Sequence, residues 1–471
     1  MTMSIYLTIL GVIAFSAAIM GVLGIFTASH WVKRFGVIVT FIWLATAASV
    51  INVVGSSREF GVNQIFALYY MTPFSFWSSR VFSLTFATLA VLAILMAIGK
   101  KRKHQGGLVL WLTYTILFFS VVASSVLGAK PSFSHQIVYM WLIMTAVYVS
   151  PPTRPEQIAT HAKYAAVAIL YGSLILAPIQ PSLYVETGYS GIIPGFNIRL
   201  HGLANHANNL GPLALFYLLL EYWVPSVKPL NRLNIAVALA VLVLAQSKTA
   251  WIMSASAIFA IFTLRLIERL KSDWKHSKPS WAMVGFISFF ILLPFTLMLL
   301  FSWETLSIQR IFGADEGIST LTGRTEIWEI TLETWRNNPW FGYGPTLWDL
   351  EFRIKYGIPA AIHAHNQFIQ TLGESGLIGL AALLLYVGAL VGYALKFSVR
   401  TKGVSIALVL MLLIRAMTEV PFRMFLSLDV AFLIHLIIFV TLIMLARGTS
   451  NDQKTKPVQN LQGNLAANLR T

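Results

Sequence analysis

The chain has 471 residues, 57% of them apolar and only 11% charged, with a formal net charge of +16 and no cysteine. A soluble domain carries about 25% charged residues, so this composition excludes a freestanding soluble enzyme and a disordered chain. The lack of cysteine excludes disulfides, thiolate nucleophiles and cysteine-ligated metals. The apolar segments are solid runs of roughly 20 residues, not the alternating strands of about 10 that make an outer-membrane barrel, so the predicted fold is all-α and polytopic.

The first apolar run, Met1 to Phe26, has no basic segment ahead of it and exceeds the apolar stretch of a cleaved leader. It reads as a retained transmembrane helix. Apolar runs predict helices near 4–28, 36–55, 79–98, 108–128, 135–150, 164–180, 207–224, 233–246, 249–264, 281–301, 375–395, 403–419 and 426–446, or about 12–13 spans. They divide the chain into N-terminal transmembrane helices (1–180), a second group with a first long loop and a Gln-Ser-Lys turn (181–301), a large helical loop (302–374), C-terminal transmembrane helices (375–446) and a polar, disordered tail (447–471).

Most of the 34 Lys and Arg residues fall on one side under alternating threading: Lys33 and Arg34, the run Lys100 to Lys103, Arg154 and Lys163, Lys228 and Arg232, the cluster Arg265 to Lys278, Lys396 to Lys402, and the tail. The positive-inside rule makes that side, and the C-terminus, cytoplasmic. The basic surplus therefore meets anionic headgroups of membrane lipids rather than nucleic acid. The opposite side carries two long loops, 181–206 and 302–374. The second holds half of the 18 acids and is large enough to cap a site.

Residues 235–264 are apolar except at Gln246, Ser247 and Lys248. One helix of that length would run about 45 Å, too long for a core of about 30 Å. Two short helices meeting at Gln-Ser-Lys are predicted instead. A lysine there is either a snorkelling helix-end residue or one that reaches a lipid-borne phosphate.

Four segments on the non-cytoplasmic side concentrate polar groups. Arg199 to Gly211 packs Arg199, His201, Asn205, His206, Asn208 and Asn209 before a helix; its two histidines lack a nearby third ligand, so no metal is predicted. The turn at Lys248 is the second. Leu321 to Trp328 opens a helix with Thr322 as N-cap, running to about Asn337. Arg324 would then lie in the first turn, where a cation opposes the helix dipole. It is either kept for an anion, bound together with the helix N-terminus, or paired with a loop carboxylate. The fourth segment holds His363, His365, Asn366, Glu374, Gly376 and Gly379, and its glycines, three apart, would admit another backbone at the helix start. Alone, His365 reads as an ordinary loop histidine. Deeper in the membrane, Arg415 and Glu419 stand i,i+4 with Arg423 close by, and are read as a structural pair in preference to a substrate contact. Glu221 and Asp429 read as interfacial.

The pattern His-(Asn/Ser/Gln)-x9-Gly-x-x-(Gly/Thr/Tyr) is met by His365, Asn366, Gly376 and Gly379. With the Gly-Arg…Trp segment, the run Asn337 to Gly344 and the Arg…Gly…His-Ala-Asn segment, the chain resembles the O-antigen ligase/polymerase superfamily of bacterial inner-membrane glycosyltransferases (GT-C class). The resemblance covers about 195–380. It implies a periplasmic site, an undecaprenyl-diphosphate-linked glycan donor, and an inverting transfer that needs neither metal nor cofactor. The acceptor would be lipid A–core or a growing glycan. It places the family's histidine on His365 and its loop arginine on Arg324. A second family arginine falls on Lys248, which keeps the charge without the bidentate fork, and Arg199 would share that role. Arg199 is followed by Gly211 after eleven residues, not the ten of polymerase loops, which favours a ligase-like enzyme over a repeat-unit polymerase. A lipid-linked-glycan transporter is the reading from another class, and a long acidic loop flanked by Arg and His does not suit it.

Such chemistry suits these residues. Breaking a sugar–diphosphate bond builds negative charge on the leaving phosphate, which Arg324, Lys248 and Arg199 would stabilise. An imidazole titrates near neutrality and can take the acceptor hydroxyl's proton. His365 is the candidate base, or the residue that orients the acceptor, with His363 and Glu374 as lesser candidates. His201, His206, Asn208, His363 and Asn366 are candidate substrate contacts.

Overall fold

A computed structural model describes residues 36–56, 72–99, 106–189, 193, 195–227, 230–273, 319–358 and 361–448. The predicted spans at 4–28 and 281–301, and the tail after 448, lie outside them. Every other predicted span is found as a helix: α1 (Val37–Val54), α2 (Pro73–Leu95), α3 (Leu108–Leu127), α4 (His135–Val149), α5 (Pro155–Ile179), α6 (Ala207–Trp223), α7 (Leu230–Leu244) and α8 (Lys248–Asp273). After the large loop come α9 (Ser319–Arg336), the short α10 (Leu350–Lys355), α11 (Gln367–Lys396), α12 (Val404–Ala416) and α13 (Val430–Gly448). Among the described residues, 7 helices are long and apolar enough to cross a membrane. The chain is an all-α, multi-pass membrane protein.

Several helices begin earlier than their apolar runs. Thr72 caps α2, its side chain accepting from Ser75 N, and Pro73 follows at the first helical position. Helix α5 likewise opens on Pro155, which places Lys163 inside a helix rather than in a loop. There Lys163 is buried and pairs with Glu221 at 3.0 Å. Apolarity marks the part of a helix in the bilayer, not its polar first turns.

Helix α13 is the axis of the bundle, with 94% of its span enclosed by the rest of the protein. Its His435 meets the Tyr386 hydroxyl of α11 at 2.7 Å. Around it, α3 packs along α11, α8 along α12, α2 against α4, and α6 against α5 and α7. The predicted hairpin is present. Helix α7 ends at Leu244, and Gln246 turns the chain with a left-handed φ of 44°. Its amide nitrogen donates to the carbonyls of Phe196 (2.9 Å) and Ile198 (2.6 Å). Ser247 Oγ then accepts from Ala250 N at 3.3 Å to start α8.

The composition did not foretell a two-stranded antiparallel pair, β1 (Val185–Thr187) with β2 (Ile198–Leu200), in which Glu186 stands opposite Arg199. It lies next to the hairpin turn, at the end of the bundle that also carries α9, α10 and the start of α11.

Candidate active site

The four segments singled out in the sequence meet at this end. The run after α9 lies backbone to backbone along α11: Tyr343 N donates to Gly373 O (2.8 Å), Gly344 N to Glu374 O (3.0 Å) and Leu377 N to Pro339 O (2.9 Å). Such an approach needs glycine. A Cβ on Gly376, whose φ is +63°, would lie 2.3 Å from the Trp340 carbonyl carbon, and one on Gly342 (φ +72°) would lie 2.6 Å from Gly373 O. Gly379 instead faces Ser375 of its own element. Asn366 is the N-cap of α11, its Oδ1 accepting from Phe368 N (3.0 Å) and Ile369 N (3.2 Å). The motif's His-Asn-x9-Gly therefore encodes a capped helix start and the bend that seats it.

His365 immediately precedes that cap with a left-handed φ of 49°, an unusual backbone for a side chain of this size. The Trp328 indole of α9 donates to Ala364 O at 2.7 Å. One turn earlier on α9, Arg324 is thereby tied to the histidine loop. On the other wall, the Arg199 guanidinium donates to Asn208 Oδ1 (2.9 Å) and Ala245 O (3.3 Å), and lies 4.6 Å from the Tyr189 ring centre.

Arg199, His206, Asn208, Lys248, Arg324, His363 and His365 all line one cavity of about 700 Å³, with Arg415, Glu419 and Arg423. Two of the residues singled out stand behind the wall. His201 is buried against Glu186, Nε2 to Oε2 2.8 Å, and Asn366 is spent on its helix cap. Glu374 also lies off the cavity, held by Gln370 (2.7 Å) and Arg423 (3.2 Å). Among the described residues, neither Lys248 nor Arg324 has an acidic partner.

Sequence spacing misplaced Glu419. Helix α12 ends at Ala416, and although Glu419 N still donates to Arg415 O (2.7 Å), the predicted side-chain ion pair is absent among the described contacts. Arg415 instead bonds Asn209. The Glu419 carboxylate lies 3.5 Å from both His363 Nε2 and His365 Nδ1, and accepts from Asn208 Nδ2 at 3.1 Å. Burial pushes this carboxyl up, but the approach of His365 and the imidazoles of His363 and His206 outweigh it and hold the group below the usual carboxylate range. Burial, reinforced by neighbouring His365, pulls His363 down to about 3. His363 is thus neutral and a poor base. The ligand atoms of His363, His365 and Glu419 lie within 4.8 Å of one another and form the one described group that could grip a cation.

The helical bundle and its site describe a membrane protein with a cavity that carries cations from separate segments and paired histidines beside a carboxylate. Residues 233–384 match the family model described as O-antigen ligase, a stretch that includes Lys248, Arg324, His363 and His365. The chain is also 38% identical over 90 residues to the exopolysaccharide production protein ExoQ of Rhizobium meliloti (strain 1021), a match covering 17% of this chain and 20% of that protein. It spans about a fifth of that relative's length. Through this region the chain is similar to members of the O-antigen ligase/polymerase superfamily.

Proposed function

We propose that the protein is a glycosyltransferase of the bacterial inner membrane that moves a glycan from undecaprenyl diphosphate to an acceptor hydroxyl at the periplasmic face. One observation carries this reading: Arg199, Lys248, Arg324 and His365, from four separate segments, line a single cavity. The acceptor oxygen attacks the anomeric carbon from the side opposite the diphosphate, so configuration inverts. The bond to the phosphate oxygen breaks, and its electron pair leaves with the lipid diphosphate. Arg324 and Lys248, with no carboxylate to neutralise them among the described residues, meet that growing charge. His365 takes the acceptor's proton, and Glu419 beside it stabilises the imidazolium that forms. With Arg199 beside them, these fixed cations do the work of a divalent ion at the phosphate.

Ligase-like transfer to lipid A–core is preferred; polymerisation of repeat units is the second reading and uses the same groups. Purified protein incubated with undecaprenyl-diphosphate glycan and acceptor should form product without an ion gradient, and should do so in EDTA. Movement of the lipid across vesicles without a new glycosidic bond would mean a transporter. Loss of transfer in EDTA, restored by a metal, would turn the His363–His365–Glu419 cluster into a metal site. A deletion strain separates the two transferase readings: long chains stranded on the carrier mean a ligase, single repeat units a polymerase.

A further inference from the structure

A second cavity, of about 510 Å³, opens between the ends of α1, α2 and α4. It shares Asn205, Phe425, Ser427 and Asp429 with the first, so the two spaces meet at a common wall. All of its lining lies outside 233–384, the stretch matched by the family model.

The lining is patterned. On α2, Ser75, Ser79 and Ser83 recur at every fourth position, and at the end of α1, Ser49, Asn52 and Ser56 recur at three and four. The α2 set forms one stripe, and Ser49 and Asn52 share a face of α1 with Ser56 two residues past its end. The stripes face each other, and Ser79 Oγ donates to Asn52 Oδ1 across the gap at 2.8 Å. Serines in membrane helices commonly bond back to their own helix and serve packing. Ser78 and Thr85, off the stripe, do this, donating to Ser75 O (3.0 Å) and Val81 O (2.7 Å), as does Ser56, which donates to Val53 O (2.7 Å). The side chains of Ser49 and Ser83, on the cavity wall, make no hydrogen bond among the described residues. Gln136 Oε1, at the start of α4, is buried without a partner. Ser49, Ser83 and Gln136 thus present unspent hydroxyl and amide groups to one space. A lipid tail would leave them unpaired. A phosphate would call for cations, and the one guanidinium here, Arg80, is stacked 3.9 Å over the Phe76 ring. Many neutral groups that both donate and accept match sugar hydroxyls. The volume falls in the range of ligand pockets, about 300–1,000 Å³, and Tyr139 adds a flat apolar face.

We propose that this serine-lined cavity binds the sugar rings of a glycan substrate beside the transfer site. The proposal rests on the glycosyltransferase reading, and the sugars could belong to the donor or to the acceptor. The test uses the full-length protein in detergent with two variants: Ser83→Trp, which fills the space, and Ser79→Ala/Ser83→Ala, which removes hydroxyls but little volume. Initial rates are measured with donor and acceptor each varied, and elution profile and thermal midpoint report folding. Both variants should raise KM for one glycan substrate about tenfold, the factor that one or two lost hydrogen bonds give, with kcat nearly unchanged. The substrate affected identifies the source of the sugars. In parallel, saturation-transfer NMR follows the lipid-free oligosaccharide released by mild acid from the host's surface polysaccharide, and its signal should be lost in Ser83→Trp. If the wild type transfers no glycan, the functional reading falls while oligosaccharide binding still decides the cavity. Unchanged KM values in folded variants, or wild-type protein that gives no oligosaccharide signal, would overturn the proposal; a change in thermal midpoint alone would assign the stripes to packing.

Discussion

At the residue scale, the candidate site separates two imidazoles that spacing cannot tell apart. His363 is the more enclosed, held near pKa 3 by burial, while His365 exposes more of its side chain to the cavity and rests against Glu419. Replacing His365 by alanine should lower kcat by about 10²–10⁴-fold, the usual share of a general base, with insertion and abundance unchanged; near-normal turnover would refute the assignment. Arg324→Ala should impair donor use more than Arg324→Lys, because lysine keeps charge without bidentate geometry. Equal donor kinetics for wild type and the alanine variant would remove Arg324 from the phosphate.

His363 also predicts a pH effect on stability. Its folded pKa lies below the unfolded value of 6.5. As pH falls through 6.5 the unfolded chain takes up a proton that the folded chain refuses, so stability drops by up to about 1.4 kcal/mol per pH unit. Glu419 is shifted the other way relative to its charge. Its stabilisation is present above its ordinary 4.5 and is lost only below it. Between pH 6.5 and 4.5 the thermal midpoint should therefore fall, and fall less in His363→Gln. Parallel profiles for the two proteins would contradict a buried neutral imidazole.

At the element scale, the start of α11 is a joint rather than a plain helix. Its cap, its bend at Gly376 and its seam with Pro339 to Gly344 place His365 against α9 and Arg324. Gly376→Ala would drive a Cβ into the Trp340 backbone at a left-handed φ. The expected result is a loss of folded protein, read as a collapsed elution peak, and not a catalytic defect in a stable enzyme. Asn366→Ala removes only the cap and should cost about 1 kcal/mol, seen as a modest fall in thermal midpoint.

At the scale of the whole molecule, orientation follows from charge. The absence of cysteine makes it easy to test. Single cysteines at Ser182, just before β1, and at Val399, in the basic turn after α11, should label differently. An impermeant maleimide should reach Ser182→Cys from the periplasm and Val399→Cys only after the inner membrane is opened. Labelling in the reverse order would invert the topology and move the site to the cytoplasm.

Much of this protein was legible without coordinates. Solid apolar runs must become helices because the bilayer leaves no other way to satisfy the backbone, and a 30-residue apolar stretch broken by Gln-Ser-Lys had to fold back. The His-Asn…Gly spacing and the isolated basic residues singled out Arg199, Lys248, Arg324 and His365, because a charge near lipid is costly unless it has a task. Other features depend on where chain segments meet. Glu419 looked like the partner of Arg415 until the histidine loop came against its carboxylate. His201 looked like a substrate contact until Glu186 came across the β1–β2 pair. The serines of α1 and α2 gained meaning only when their stripes faced one another. Local pattern records which groups a segment must satisfy; which neighbour satisfies them is settled by long-range packing, and no spacing along one segment carries that information.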